Sequence, residues 1–323
     1  MWWNLHNFAH YDASQSSATR WPTSQADYEA KRDRVLVAFQ EMFGKDYPDL
    51  IAVCEITRIA ASDLANRLPT GFSVTFSQDY PRDDGFQVAV FYRSGVGLSA
   101  ELPLLPTELE DVAEGTRPMV PVHLTMPGHL IRFVACHWTA FDEGRVARER
   151  LADIVRRDTF HFLHPTRVRM VDRTRHIVIL GDLNEEPMSP VFEQRLIGRR
   201  DRESSRSDHW RDEQVRRIRL YNAAWRYVGE QVSHGATGQS TIGAAGTYFT
   251  DPHNWRTLDH ILVSGGLLGA TPPYFDEAQT RIVATPIMVD EHGLPRPFQI
   301  GATRGVSDHL PIVGRIVLPE TTK

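Results

Sequence analysis

Residues 179–187 read ILGDLNEEP, the most informative stretch of the chain. The apolar run 176–180 is rich in β-branched residues and is typical of a buried strand. Asp182 and Asn184 follow this run, so a carboxylate and an amide are expected at the edge of a sheet. A Gly-Asp pair alone is also common in ordinary turns, so its meaning depends on the other strand ends.

Four other predicted strands carry a polar residue suited to metal or proton chemistry at one end. Glu55 follows the run 50–54, His137 follows 130–136, Asp259 precedes 260–263, and Asp308 with His309 precedes 310–318. If the strands ending in Glu55, His137 and Asp182 run toward one rim and the other two run away from it, these side chains meet at one edge. Taken singly, each residue could be a turn-forming acid or a hydrogen-bonded core histidine. Turn composition alone hardly explains the combination, which predicts a site.

The remaining pattern predicts a sheet protein with helices. The run 88–92 is a further strand, and the stretches 26–43 and 145–163 space their apolar residues at helical intervals. Such alternation fits a parallel sheet or a mixed sandwich with outer helices. No glycine-rich GxGxxG loop follows a strand, so nothing indicates a dinucleotide-binding sheet.

With 323 residues and 41% hydrophobic content, the chain can form one large domain over residues 1–323. Insertions are expected near 189–219, which is polar and rich in arginine, and near 233–246, which is rich in small residues. The proline-containing segment 271–298 is not assigned. Cys54 and Cys136 lie in apolar runs and are expected to be reduced core residues.

The net charge of -5 argues against a protein that coats nucleic acid by bulk electrostatics. Only three of the 36 basic residues are lysines, however. The arginines indicate either solvated helix faces in a protein from a GC-rich genome or a surface that faces phosphate. No signal peptide or membrane anchor is evident, so a cytoplasmic protein is expected. The oligomeric state stays open.

Six segments resemble the endonuclease/exonuclease/phosphatase superfamily, which has the deoxyribonuclease I-like fold. They are WWNLHNF (2–8), DLIAVCE (49–55), VACHW (134–138), ILGDLNEEP (179–187), LDHILVS (258–264) and SDHLPIVG (307–314). The segments at 220–230 and 246–249 resemble a bacterial subgroup. The resemblance implies an α+β fold, a four-layer α/β/β/α sandwich of two mixed, mostly antiparallel β-sheets flanked by helices.

The resemblance also implies a metal site for Mg²⁺ or Mn²⁺. Asn4 and Glu55 are the metal-side residues, with Glu55 a direct ligand, and Asp308 supports them. Carboxylate and amide oxygens suit such ions. His6 stands where many members have an acid or an asparagine, which weakens the case for a second metal, and we expect one essential metal.

Five further residues are implied to act on the phosphate. Asp182 orients or deprotonates the attacking water, and Asn184 donates to a phosphate oxygen. His309 contacts the phosphate, with its tautomer fixed by Asp259. His137 contacts the phosphate and the leaving oxygen.

The sequence therefore predicts a metal-dependent hydrolase that cleaves phosphodiester bonds, in the first place a nuclease acting on DNA or RNA, with nucleic acid or a nucleotide as its partner. Trp138, Trp210, Trp225 and Trp255 could hold bases, although most tryptophans are core residues. The first alternative is a phosphatase or phospholipase-type enzyme acting on inositol phosphate, nucleotide or sphingomyelin-like substrates. The second is a catalytically silent binding module. The sequence contains no GxSxG motif, which would have indicated a covalent route.

Overall fold

A computed structural model describes residues 1–13, 22–77, 85–101, 119–140, 144–164, 174–206, 219–229, 232–234, 240–242, 244–250 and 254–320. The chain forms two units. The first contains Met1–Val96, Tyr227–Thr257 and Ile282–Ile312, and the second contains Gly97–Arg226, Leu258–Arg281 and Val313–Lys323. The expectation of a single domain with insertions stays a prediction.

One mixed sheet has six strands in the order β16-β17-β1-β2-β4-β3. Their bounds are β1 Trp2–Phe8, β2 Leu50–Thr57, β3 Phe72–Phe76, β4 Phe86–Arg93, β16 Tyr274–Ile282 and β17 Ile312–Val317. β1 and β2 are parallel, and β4 is antiparallel to both β2 and β3. β2 reads as one apolar run because it lies inside the sheet and nearly all its residues are buried.

Two helices belong to the first unit, α1 Gln25–Phe43 and α2 Arg58–Ala65. α1 begins at Ser24, whose hydroxyl accepts a hydrogen bond from the backbone N–H of Asp27 at 3.1 Å. It ends at Gly44, which has a positive φ of 57° that favours glycine. Phe39 of α1 contacts Trp3 of β1 edge to face, with ring centroids 5.9 Å apart. The apolar side of α1 is therefore fixed on β1.

The other mixed sheet has seven strands in the order β5-β6-β7-β8-β15-β10-β9. Their bounds are β5 Leu98–Ala100, β6 Val120–Met126, β7 His129–His137, β8 Arg175–Asp182, β9 Gly198–Arg199, β10 Leu220–Asn222 and β15 Asp259–Ser264. α3 Arg145–Leu163 packs its apolar residues into a core with β7 and β8, in which Leu151, Val155 and Ile179 are buried. Two short hairpins are formed by β11 Val232–His234 with β12 Ser240–Ile242 and by β13 Tyr248–Phe249 with β14 Trp255–Arg256.

The predicted α+β class is confirmed, with two mixed, mostly antiparallel sheets and flanking helices. All six predicted strands and both predicted helices are present. The unassigned segment 271–298 contributes β16. None of the helices in the described ranges is long and apolar enough to cross a membrane.

The two expected insertions are only partly described. Between 189 and 206 the chain forms a π-helix, Val191–Leu196, then β9 and the helix α4 Arg202–Arg206. Residues 207–218 and most of 235–243, with Trp210, lie outside the described residues. Within the described residues, single-turn 3-10 helices are formed by Ser94–Val96, Ala223–Arg226 and Gly265–Leu268. The last part of the chain segment 220–230, which resembles a bacterial subgroup, follows the 3-10 helix Ala223–Arg226.

Candidate active site

In the first unit, β1 and β2 bring Asn4 and Glu55 together. The side-chain amide of Asn4 donates to Oε1 of Glu55 at 3.0 Å, and the backbone N–H of Asn7 donates to Oε2 at 2.9 Å. The backbone N–H of His6 donates to Oδ1 of Asn4 at 2.9 Å. Hydrogen bonds to both carboxylate oxygens fix the orientation of the Glu55 side chain.

Strained backbone accompanies this arrangement. Five non-glycine residues within the described ranges have positive φ, and three of them are His6 at 49°, Asn7 at 55° and Glu55 at 55°. The pairing of β1 with β2 shifts register between Asn4 and Phe8, so the strain coincides with a bulge. Such conformations typically cost about 1–3 kcal/mol each and concentrate at functional sites.

Lys31 of α1 is a residue of this site that the sequence analysis missed. Its side chain is buried, and its ammonium group donates to the backbone carbonyl of His6. Burial lowers the pKa of Lys31 to about 7, while the charges of Glu55 and Asp308 act in the opposite direction. The signal in the sequence was the spacing of Lys31, three residues after Tyr28 and four before Val35, which places it on the same buried face of α1.

Asp308 and His309 precede β17 as predicted. The imidazole Nε2 of His6 lies 3.6 Å from Oδ2 of Asp308. Burial lowers the pKa of His6, and the charge of Asp308 opposes this effect. The hydroxyl of Ser307 donates to the backbone carbonyl of Asn4 at 2.7 Å and accepts from the N–H of His309 at 3.1 Å. Ser307 therefore links the segment before β17 to β1, a role that the sequence analysis did not assign.

His309 is fixed from several directions. The indole N–H of Trp3 donates to the backbone carbonyl of His309 at 2.9 Å. The rings of His309 and Tyr248 lie 4.6 Å apart between centroids, and the side chain is buried. The imidazole is therefore held in one orientation.

In the second unit, the ends of three neighbouring strands collect His137, Asp182 and Asp259. His137 ends β7 and is paired in register with Asp182, which ends β8, and Asp259 begins β15 opposite Asp182. Nε2 of His137 lies 3.9 Å from Oδ2 of Asp182. Carboxylate oxygens of Asp182 and Asp259 lie within 4.8 Å of each other, and both side chains are buried. Two buried carboxylates at this distance require a cation, a proton or several donors nearby.

Asn184 lies in the turn after β8 with a positive φ of 52°. Its backbone N–H donates to Oδ1 of Asp182 at 3.1 Å, and its side-chain amide donates to the backbone carbonyl of Trp138 at 2.9 Å. The turn thus keeps the amide beside the strand ends. Gly181 is needed here because a Cβ at this position would lie 2.2 Å from the carbonyl oxygen of Cys136 on β7.

A polar network that the sequence analysis missed supports this turn. Nε2 of His260 lies 2.8 Å from the carbonyl oxygen of Glu185, and Nδ1 lies 3.1 Å from the amide nitrogen of Asn222. Nε of Arg148 donates to Oε1 of Glu185 at 2.6 Å, and its Nη1 donates to the carbonyl of Thr139 at 3.0 Å. His260 and Glu185 stand inside the motifs LDHILVS and ILGDLNEEP, which gave no sign of this pairing.

The structure thus forms two groups of the predicted residues. The first unit holds Asn4, Glu55, Asp308 and His309, and the second holds His137, Asp182, Asn184 and Asp259. In the first group, Asn4 and Glu55 share a hydrogen bond, and Ser307 links the segment of Asp308 and His309 to the backbone of Asn4. In the second group, strand register joins His137, Asp182 and Asp259. The action of all eight residues in one reaction stays a prediction.

The model of the Endonuclease/Exonuclease/phosphatase family matches residues 1–309. No protein of the curated set is significantly similar in sequence. Among solved structures, a mannosyl-6-phosphatase of Bacteroides thetaiotaomicron is 16% identical with a TM-score of 0.56, covering 98% of each chain.

Two structures of TDP2 are also similar. TDP2 from D. rerio, solved with a single-strand DNA product, is 13% identical with a TM-score of 0.54, covering 96% of this chain and 95% of that one. A truncated TDP2 from Caenorhabditis elegans is 12% identical with a TM-score of 0.54, covering 97% and 94%. At these identities the likeness concerns the fold, which is the predicted deoxyribonuclease I-like fold. With its family model matched over almost the whole length, the chain belongs to the Endonuclease/Exonuclease/phosphatase family.

Proposed function

We propose that the protein is a divalent-metal-dependent phosphodiesterase, and in the first place a nuclease that acts on DNA or RNA. The supporting observation is the row of His137, Asp182 and Asp259 on three neighbouring strand ends, followed by the strained turn of Asn184. Hydrolysis of a phosphodiester needs a positioned water and donors directed at the phosphate. This row offers two carboxylates, an imidazole and an amide for these tasks.

The oxygen donors of the first unit fit a hard divalent cation such as Mg²⁺ or Mn²⁺. Glu55 is the proposed direct ligand, since carboxylate oxygens suit such a cation and both oxygens are held by Asn4 and Asn7. Asn4 and Asp308 are the proposed supporting residues. When bound, the cation neutralises charge on the phosphoryl oxygens. His6, at a position where many family members have an acid or an asparagine, supports one essential metal. Lys31, whose pKa burial lowers to about 7, adds positive charge beside Glu55 and Asp308 only in its protonated form.

The proposed roles in the reaction follow the chemistry of each side chain. Asp182 accepts the proton of the attacking water or orients that water. Asn184 donates to a non-bridging phosphate oxygen as charge develops there. His309 contacts the phosphate with its tautomer set by Asp259, and His137 contacts the phosphate and the leaving oxygen. The family model, which spans all eight residues, supports their participation in one reaction.

The test is a substrate panel under EDTA, Mg²⁺ and Mn²⁺. It contains plasmid DNA, RNA, bis-p-nitrophenyl phosphate, a phosphomonoester and inositol phosphates. We expect metal-dependent cleavage of the diesters, and loss of turnover in Asp182→Ala and His309→Ala with the fold retained. Arg67→Ala, at an exposed helix end of the first unit, is the control variant. Full activity of either site variant contradicts the roles.

A phosphatase is the second candidate, because one of the similar structures is a mannosyl-6-phosphatase and the same residue types serve both reactions. The expected phospholipase-type activity on inositol phosphate or sphingomyelin-like substrates belongs to the same alternative. Release of phosphate from monoesters alone would select it. Cleavage of no substrate with any metal would select the catalytically silent binding module. A cytoplasmic location remains part of the proposal.

A further inference from the structure

A cavity of about 980 Å³ lies in the second unit, beside the turn that follows β8. This volume suits a ligand of small-molecule size. Three arginines and three apolar residues line it, together with two acids: Arg195, Arg199, Arg200, Pro187, Met188, Trp225, Glu193 and Asp201.

Trp225 is the unusual member of this lining. Trp138, another tryptophan of the second unit, is fully buried and stacks against Phe192, as expected of a core residue. Trp225 is only partly buried, and its indole lines the cavity. Met188, on the same cavity, is 50% exposed. A large aromatic face and a flexible thioether open to a cavity are features of a ligand site.

The arginines differ in what they contact. Arg195 forms salt bridges with Glu149 and Asp153, both at 3.4 Å. Arg199 donates to the carbonyl of Glu193 at 2.8 Å. The guanidinium of Arg200 lies over one face of the Trp225 ring, 5.6 Å from its centre, which leaves the other face for a ligand; it forms no salt bridge with any carboxylate in the part of the chain that the structure describes. The charge of Arg200 also acts on the carboxyl of Asp201 in the cavity lining. Because this carboxyl is not within salt-bridge distance, the guanidinium of Arg200 can still pair with an anionic ligand.

An aromatic surface next to an available guanidinium is complementary to a planar ring that carries a phosphate. The base of a nucleotide can stack on the indole while its phosphate pairs with the guanidinium. Stacking on the indole requires an unpaired base. A single-stranded nucleic acid satisfies these requirements better than a duplex, whose bases are already stacked.

Chain connectivity places this cavity near the proposed phosphate contact. Pro187 and Met188 follow Asn184 by three and four residues, so their backbones lie within roughly 11–14 Å of it even if the chain is fully extended. This upper limit spans no more than a few nucleotides of an extended strand.

We propose that the cavity around Trp225 and Arg200 binds an unpaired nucleotide that flanks the cleaved bond of a single-stranded nucleic acid. This inference rests on the proposed phosphodiesterase function and gives it a substrate class. Trp225 supplies the stacking surface and Arg200 the phosphate contact. Met188 forms the apolar wall.

The test measures binding without turnover. Fluorescein-labelled single strands of DNA and RNA with matched sequence are titrated in EDTA, with anisotropy as the readout. Trp225→Ala and Arg200→Ala are each expected to raise Kd by roughly 5- to 100-fold. Trp225→Phe keeps an aromatic face and should retain most of the affinity. Arg145→Ala, an exposed arginine of α3, is the matched control and should leave Kd unchanged.

Two further ligands test whether the affinity depends on an unpaired base. A strand with abasic sites should bind wild type and Trp225→Ala equally, because no base is present to stack. A duplex should bind more weakly than a single strand. Thermal unfolding of each variant shows whether the fold is kept. If Trp225→Ala is unstable, binding by Arg200→Ala and Trp225→Phe is measured in its place.

The inference is overturned if wild type binds no oligonucleotide, or if the Trp225 and Arg200 variants bind as wild type does. It is also overturned if the abasic strand is as sensitive to Trp225→Ala as the intact one. Failure of the proposed function is seen separately, as absence of bis-p-nitrophenyl phosphate hydrolysis by the wild type with Mg²⁺.

Discussion

Replacing Asp182 by asparagine should stabilise the metal-free protein while it removes activity. Asp182 and Asp259 are buried register partners whose carboxylate oxygens lie within 4.8 Å. With an effective dielectric constant of about 20, two unit charges at that distance repel by about 3.5 kcal/mol. Asparagine keeps the shape of the side chain and an oxygen to accept from the N–H of Asn184.

The net gain is smaller than this repulsion. The charged acceptor for Asn184 and the attraction of Asp182 to His137 at 3.9 Å are both lost. We therefore expect the free energy of unfolding in EDTA to rise by about 1–3 kcal/mol. Since the carboxylate is the proposed general base, turnover should fall by about 100-fold or more.

Urea unfolding followed by tryptophan fluorescence in EDTA measures the first effect, and hydrolysis of bis-p-nitrophenyl phosphate with Mg²⁺ measures the second. Asp158→Asn is the matched control. Asp158 accepts from the buried Arg132 at 2.9 Å, so its replacement should lower stability, by about 1–2 kcal/mol because Arg132 keeps its salt bridge with Glu101 at 3.1 Å. An Asp182→Asn protein that is clearly less stable than wild type contradicts the repulsion between Asp182 and Asp259. One that is equally active contradicts the role of Asp182 as general base.

Three other changes test separate parts of the structure. Glu55→Gln should raise the Mg²⁺ concentration needed for half-maximal activity, because a charged ligand is lost; an unchanged metal titration would remove Glu55 from the site. Gly181→Ala should destabilise the protein by about 3 kcal/mol or more, because its Cβ would lie 2.2 Å from the carbonyl oxygen of Cys136; a melting temperature like that of wild type contradicts this contact. Burial lowers the pKa of Lys31 to about 7, so the unfolded chain holds this proton at higher pH than the folded one, and stability should rise between pH 7 and 9 by about 2 kcal/mol. Lys31→Met should remove that increase, as measured by urea unfolding in EDTA at both pH values.

Much of the fold could be predicted because its central strands and long helices have strong apolar patterns. α3 has the predicted bounds Arg145–Leu163, and β2 extends the run 50–54 by three residues. β16 was not predicted because it is an edge strand, and most of its residues are partly or fully exposed. A half-solvated edge strand such as Tyr274–Ile282 leaves little apolar signal in the sequence.

Parts of the candidate site could also be predicted, since strand ends place Asp182, His137 and Asp259 side by side through register. The positive φ values of His6 and Glu55 had no signal, because no glycine marks them. Lys31 and His260 were missed for another reason: their contacts come from elements that are distant in sequence. Such contacts follow from packing, which a single sequence does not specify.

Metal dependence of diester hydrolysis decides whether the protein is a metal-dependent phosphodiesterase. Wild type freed of metal with EDTA is titrated with Mg²⁺ while the hydrolysis of bis-p-nitrophenyl phosphate is followed. We expect no turnover without the cation, recovery on its addition, and no recovery in Asp182→Asn. Hydrolysis that persists in EDTA, or that no divalent cation restores, would contradict a metal-dependent phosphodiesterase.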